Sequence, residues 1–417
     1  MKILHVSHNY YPVIGGAETQ IKNISEGLAK RGHQVTVLTS NATSAEAYVD
    51  SRIGTLQPGA EIINGVLVKR LPILQLPIPI RMLLGGIMIT FWRKSFPLNG
   101  LIRILWNGPY IKGLYRQIME SDAGVLTAIP FPFLHIYRAF SAARRKRNPM
   151  AVIPCVHPMD PFAFENPCHY RLLRECQAVL PNTDYEKDYL ISMGVPEERI
   201  HVVGDGIAPE AFNKAMRGEF RKRHSIGDEE KVVLFVGRKA EGKGLEALLS
   251  AMGRVWESGE RARLVLAGST TEFFKGGIEP EIAHFPERMR RNIININDFE
   301  ESEKDSIYTD CDIFVLPSKI ESFGIVFLEA WICGKPVIGC RTGPVASVIT
   351  EDQDGLLVRY GDVEELSAAI VRLLRDANLR TKLGNKGREK VLKRYTWDRI
   401  VSKIEAIYQK LIAERAQ

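Results

Sequence analysis

The stretch DIFVLPSKIESFGIVFLEAWICGKPVIGC, residues 312–340, restricts the fold more than any other part of the chain. It opens with a continuous apolar run, Ile313-Phe314-Val315-Leu316, closed by Pro317. That is the pattern of a strand covered on both faces within a parallel sheet. Residues 318–322 supply a turn, and a helix is expected from about residue 324 to 333. Gly334 ends the helix before Pro336-Val337-Ile338 starts another strand. This is one strand-loop-helix-strand unit of an α/β fold.

Two carboxylates frame the start of that helix. Glu321 lies in the loop at the carboxyl end of the strand, the edge where open parallel sheets bind ligands. Glu329 lies inside Phe327-Leu328-Glu329-Ala330-Trp331-Ile332, and a carboxylate among so many apolar neighbours is costly unless something hydrogen-bonds it. Two readings of Glu329 follow: an exposed helix position, or a buried acceptor for a ligand with adjacent hydroxyls, such as a ribose. Between the acids, the N–H groups of Phe323, Gly324 and Ile325 open the helix and can receive an anion. Places for a polar group, a phosphate and a ribose, in that order, describe a sugar nucleotide.

The rest of the chain repeats the α/β theme. Residues 3–7 read as a strand, 9–16 as a Pro/Gly loop, 17–31 as an amphipathic helix and 34–38 as the next strand. Gly15-Gly16 falls at the loop-to-helix junction, where backbone can approach a phosphate closely. Residues 151–156 read as a strand with His157-Pro158-Met159-Asp160 at its carboxyl end. His157 is there either a ligand-facing group or a structural hydrogen-bonder. A further buried strand, residues 231–237, leads into Arg238-Lys239-Ala240-Glu241-Gly242-Lys243-Gly244. Arg238 and Lys243 suit a diphosphate, one by a two-pronged grip and the other as a point charge; a solvated basic loop is the plainer reading. Lys239 is expected to face water. In Asp310-Cys311-Asp312 at least one acid is expected to end a helix or begin a strand, and no metal site is expected.

With 417 residues, 45% of them hydrophobic, the chain can bury two separate cores. The net charge of +7 suits anionic partners without choosing between nucleotide, nucleic acid and membrane. Six cysteines without a C-x-x-C pair indicate neither a zinc site nor a disulfide framework, and reducing, cytoplasmic conditions fit. No signal-peptide core and no spanning apolar segment is apparent. Residues 62–119 contain no Asp or Glu, yet carry Lys69, Arg70, Arg81, Arg93, Lys94, Arg103, Lys112 and Arg116 around the apolar run 82–92. Such a segment can lie in the headgroup layer of an anionic membrane, or form packed helices whose basic face lines a cleft for an anionic acceptor. Arg144-Arg145-Lys146-Arg147 adds further positive charge.

Glu321-x7-Glu329, with Ser322-Phe323-Gly324 after the first acid and residues 330–334 after the second, resembles the E-x7-E signature of retaining nucleotide-sugar glycosyltransferases of family 4 (glycosyl transferases group 1). Gly15-Gly16-x-Glu18 and Gly237-Arg238-x4-Lys243-Gly244 resemble its phosphate-contacting segments, and His157 with Asp160 resembles its His near the donor sugar. Residues 199–207 resemble its hinge, with Gly204-Asp205 replacing Pro-Asn. The resemblance covers nearly the whole chain, least so at residues 41–123.

The resemblance implies two Rossmann-like parallel-sheet domains facing a central cleft (GT-B): an acceptor-side domain at 1–207, a nucleotide-sugar domain at 208–396, and a final helix at 397–417 packed back on the first. The implied activity is retaining, metal-independent transfer of a hexose-type sugar from a nucleoside-diphosphate sugar to an acceptor hydroxyl. The acceptor would be a glycan or lipid-linked molecule at the inner membrane face, approached through residues 62–119. No cofactor beyond the sugar nucleotide and no nucleic-acid partner is implied. Catalytic roles fall to Glu321 and His157, and donor binding to Gly15, Gly16, Arg238, Lys243, Phe323, Gly324, Ile325 and Glu329. Asn297, Asp298 and Phe299 are candidate base contacts. Whether Glu321 is a covalent nucleophile or stabilises the cationic anomeric centre is left open. Rival activities on the same scaffold are a nucleotide-sugar epimerase or hydrolase, or non-catalytic binding.

Overall fold

The structure, a computed structural model, describes residues 1–416 except 51, 92–97, 157, 159, 213–216, 298 and 300. His157, Asp298, Arg93 and Lys94 therefore lie outside the described residues. The chain divides into two compact units, residues 1–204 with 397–417, and residues 205–396.

The first unit holds β1 (Lys2–Ser7), β2 (Gln34–Ser40), β3 (Gly59–Ile63), β4 (Val66–Leu71), the short pair β5 (Ile73–Leu74) and β6 (Tyr110–Ile111), then β7 (Val125–Ile129), β8 (Met150–Val152) and β9 (Ala178–Val179). Its main sheet runs β3-β4-β2-β1-β7-β8-β9, parallel except for β3 against β4. The second unit holds β10 (Lys231–Val236), β11 (Ala262–Ala267), β12 (Ile293–Ile296), β13 (Ile313–Leu316), β14 (Val337–Cys340) and β15 (Gly355–Val358). They run β12-β11-β10-β13-β14-β15, parallel throughout. The apolar runs of β10 and β13 are buried, as strands covered on both faces must be. The expected strand at 151–156 is shorter, ending at Val152.

Strand order reverses beside β1, flanked by β2 and β7, and beside β10, flanked by β11 and β13. The crevice beyond the strand ends at such a reversal is where open α/β sheets take ligands. The loops after β1, β10 and β13 occupy those positions.

Packing fixes the helices that carry these loops. In the second unit Trp331 is fully buried and its Nε1 donates to the Asp354 carbonyl at 2.8 Å. A Cβ at Gly387, on the Ala377–Arg394 helix, would lie 1.9 Å from Trp331 Cδ1, so only glycine lets that helix close on the Ile325–Ile332 helix. In the first unit the Trp397–Ala416 helix buries Tyr408, whose hydroxyl lies 2.5 Å from Thr127 Oγ1 and 3.2 Å from His5 Nε2.

The acid-free segment does not present one basic face. Arg70 is buried in an ion pair with Glu61 at 2.8 Å, and Arg103 is buried with its Nη1 donating to the Glu165 carbonyl at 2.7 Å. The Arg81 guanidinium lies over the Trp106 ring, 5.2 Å from its centroid. The Ile78–Phe91 and Asn99–Asn107 helices expose the large apolar side chains of Ile80, Met82, Leu83, Ile89 and Leu101.

Candidate active site

In the second unit the loops after β10 and β13 are laced together. The Lys319 amide donates to the Gly242 carbonyl at 2.8 Å. Gly244 adopts φ +75°, and a Cβ there would lie 2.1 Å from the Pro317 carbonyl oxygen, so the approach requires glycine. This lacing brings Lys243 Nζ to 2.5 Å from Glu321 Oε1, with both side chains mostly shielded from solvent. Arg238 is exposed, and its guanidinium has no ion-pair or hydrogen-bond partner among the described residues.

Lys239 is a correction to the sequence reading, which turned it to water. It is fully buried. Its ammonium donates to Asn295 Oδ1 at 2.5 Å, the Ile296 carbonyl at 3.1 Å and Asn297 Oδ1 at 3.0 Å, and lies 4.7 Å from the Phe274 ring centroid. A buried ammonium needs its three donors satisfied, and the end of β12 provides the acceptors.

Gly324, at φ +85°, caps the Ile325–Ile332 helix, and Phe323 is buried edge-on against Tyr395 at 5.4 Å. The first amides of that helix have no acceptor within it. Glu329 is four per cent exposed, which excludes the reading of it as an exposed helix position. Tyr308 OH donates to its Oε2 at 2.7 Å, and Lys304 pairs with Oε1. Burial, then Glu329 itself, pushes the Tyr308 hydroxyl pKa well above its usual value, so Tyr308 stays a donor. The carboxylate is thus held by protein groups of the Glu301–Asp310 helix.

Asp310 and Asp312 are structural. Asp310 accepts from the amides of Gly218 at 2.7 Å and Phe220 at 2.9 Å, and Asp312 pairs with Arg221 at 2.7 Å. Among the described residues no group of three or more His, Cys, Asp or Glu side chains could hold a metal, and no helix is long and apolar enough to cross a membrane.

In the first unit Gly15 is extended and caps the Gly16–Lys30 helix, whose first residue is exposed with open space where a side chain would stand. A Cβ at Gly15 would lie 2.3 Å from Glu18 Oε2. Glu18 is buried, with Oε1 3.1 Å from His8 Nε2. Burial, the largest single influence, raises the pKa of this carboxyl, but the hydrogen bond and charge of His8, the residue's own backbone amide and Asn9 together outweigh it, and the net shift is downward.

Sequence reasoning missed Glu186. It is buried, accepting from the Val156 amide at 2.7 Å and the Asn182 amide at 2.8 Å. It therefore ties the segment after β8 to the segment after β9. Burial pushes its pKa to about 7. The spelling Thr183-x-x-Glu186, that of a capping box at the start of the Asp184–Ser192 helix, could have flagged it, although its carboxylate reaches the Asn182 amide and not that of Thr183. Asp205, for which no firm ligand role is expected, is likewise buried and pushed to about 7, its carboxylate accepting from the Gly206 amide at 2.9 Å.

Two parallel Rossmann-like sheets in one chain, the second carrying cations and an acid on laced strand-end loops, define an α/β protein of the GT-B class. The sequence model of Glycosyltransferase Family 4 matches residues 14–211, and that of Glycosyl transferases group 1 matches residues 216–390. The chain belongs to glycosyltransferase family 4 and is a glycosyltransferase. It is similar to the uncharacterized glycosyltransferase MJ1607 of Methanocaldococcus jannaschii, 25% identical over 98% of each chain. It is similar also to a D-inositol 3-phosphate glycosyltransferase of Saccharomonospora viridis, 25% identical over 96% of this chain and 90% of that one. Among solved structures, Anabaena HepE in complex with UDP matches with a TM-score of 0.73 at 16% identity, covering 98% of this chain and all of that one.

Proposed function

We propose that the chain is a retaining, metal-independent hexosyltransferase that moves a sugar from a nucleoside-diphosphate sugar to an acceptor hydroxyl. One observation carries this reading: Lys243 and Arg238 share the loops at the strand-order reversal with Glu321 and the opening of the Ile325–Ile332 helix. Departure of a diphosphate is the demanding step, and preorganised cations and helix amides stabilise the charge it develops. Arg238 and Lys243 grip the diphosphate, the amides of Phe323, Gly324 and Ile325 receive a phosphate oxygen, and Glu329, through the lone pairs that Tyr308 and Lys304 leave, accepts from the ribose hydroxyls. Glu321, already paired to an ammonium, acts as an electrostatic stabiliser of the cationic anomeric centre rather than as a free nucleophile. A donor phosphate oxygen takes the acceptor's proton. Gly15, Gly16 and His157 keep the donor-phosphate and sugar roles that the family resemblance gives them. The complex of HepE with UDP makes a uridine donor the first to try.

The test is a thermal-stabilisation screen of sugar nucleotides, followed by assay of Glu321→Ala with the donor it finds. Lost transfer with retained nucleotide binding is expected; unchanged turnover sinks the assignment. Donor consumption without any acceptor would assign an epimerase or hydrolase instead.

The exposed apolar residues Ile80, Met82, Leu83 and Ile89 favour a second element of the reading, an acceptor presented at a membrane surface. Co-sedimentation with anionic vesicles tests it, and absence of salt-sensitive binding removes it.

A further inference from the structure

The run Arg144-Arg145-Lys146-Arg147 closes the Leu134–Lys146 helix just before β8 begins at Met150. It stands at the amino edge of the first sheet, opposite the loop that carries Gly15 and Gly16. Here the ends of the Leu134–Lys146, Pro167–Glu175 and Trp397–Ala416 helices border one cavity of about 640 Å³, within the size range of small-molecule sites.

Arg147, Arg174, Arg199 and Arg415 line it, and none has a carboxylate partner among the described residues. Two of them are held in place by backbone. Arg199 Nη1 donates to the carbonyls of Arg174 at 2.7 Å and Cys176 at 3.3 Å, and Arg174 Nε donates to the Tyr170 carbonyl at 3.3 Å. The nearby acids are already engaged: Glu175 by Arg144 at 3.1 Å and Arg171 at 3.3 Å, Glu414 by Lys410 at 3.8 Å. The floor includes Phe140, Met150 and Leu411. Cations in the last turn of a helix complement its dipole, which accounts for Arg174 and Arg415. It does not account for Arg199, outside any of these helices, nor for four arginines meeting over an apolar floor.

We propose that this cavity binds a small organic polyphosphate carrying an aromatic part, the nucleoside triphosphate class, at a site distinct from the candidate active site. Guanidinium groups match phosphate oxygens in pairs, and the apolar floor takes the base. The proposal does not rest on the glycosyltransferase donor reading.

Calorimetric titration of the Arg238→Ala protein, in which the loop after β10 is disarmed, with ATP and with inorganic tripolyphosphate tests it. Both probes are expected to bind, ATP about tenfold more tightly than tripolyphosphate because it also covers the floor. Adding Arg147→Ala and Arg415→Ala, both exposed side chains, should weaken both probes at least about tenfold while leaving the circular-dichroism melt unchanged. No binding in the Arg238→Ala background, or binding unaffected by the two added changes, overturns the proposal. ATP binding no tighter than tripolyphosphate overturns the aromatic part of the ligand. Binding only to phosphatidylglycerol vesicles, with neither soluble probe bound, overturns the proposal as well and assigns the patch to a membrane.

Discussion

Lys243 Nζ and Glu321 Oε1 lie 2.5 Å apart, although the residues are 78 positions apart and sit on different strand-end loops. A diphosphate arriving at Lys243 must share that ammonium with the carboxylate. Glu321→Gln should therefore bind UDP about fivefold more tightly, the scale of 1 kcal/mol, while transfer falls by about 10³ or more. Calorimetry and a transfer assay check both halves. Weaker UDP binding would mean that Glu321 instead positions Lys243.

Arg238 presents a free guanidinium among the described residues. Arg238→Lys keeps the charge and loses the fork, so nucleoside diphosphate affinity should drop about tenfold, and Arg238→Ala by about a hundredfold. Equal affinity in all three proteins would place the diphosphate elsewhere.

Glu329 and Lys304 form a pair of which the acid is six per cent exposed at its side chain and the lysine nineteen. Lys304→Met leaves the carboxylate with Tyr308 as its remaining described partner, and the second unit should lose about 3 kcal/mol in denaturant unfolding. A loss below about 0.5 kcal/mol, the scale of surface changes, would show that the carboxylate is solvated.

Glu186 has a folded-state pKa of about 7, raised from 4.5 by burial. Between those values the folded protein binds more protons than the unfolded chain, so stability falls as pH rises. This contribution is fully present below about pH 4.5 and is lost as pH passes through about 7. Relative to Glu186→Gln, the wild-type protein should lose about 3 kcal/mol from pH 4.5 to pH 8, read as a shift in the denaturant midpoint. A parallel pH course in the two proteins would contradict an acid that folds uncharged.

Much of the scaffold was legible before any coordinates. Strands such as β10 and β13 announce themselves because burial on both faces demands unbroken apolar runs. The break at Gly334 was readable because glycine at a helix end answers a local backbone requirement. The same local logic located the loops that carry Arg238, Lys243, Glu321 and Glu329. It failed where a side chain's partners come from another element. Lys239 reads as one more surface cation until Asn295 and Asn297 are brought beside it, and the basic residues of 62–119 read as one face until Arg70 and Arg103 find acceptors inside the first unit.

By itself the sequence determined which segments become strands, where they end, and which loops hold charge beside glycine, since each depends on neighbours within a few residues. Only the tertiary structure decided which charges are buried, which are paired and which stand open, as with Lys243 on Glu321 and the four arginines around one cavity. Electrostatic and desolvation energies depend on distances between elements, and spacing along the chain does not encode those distances.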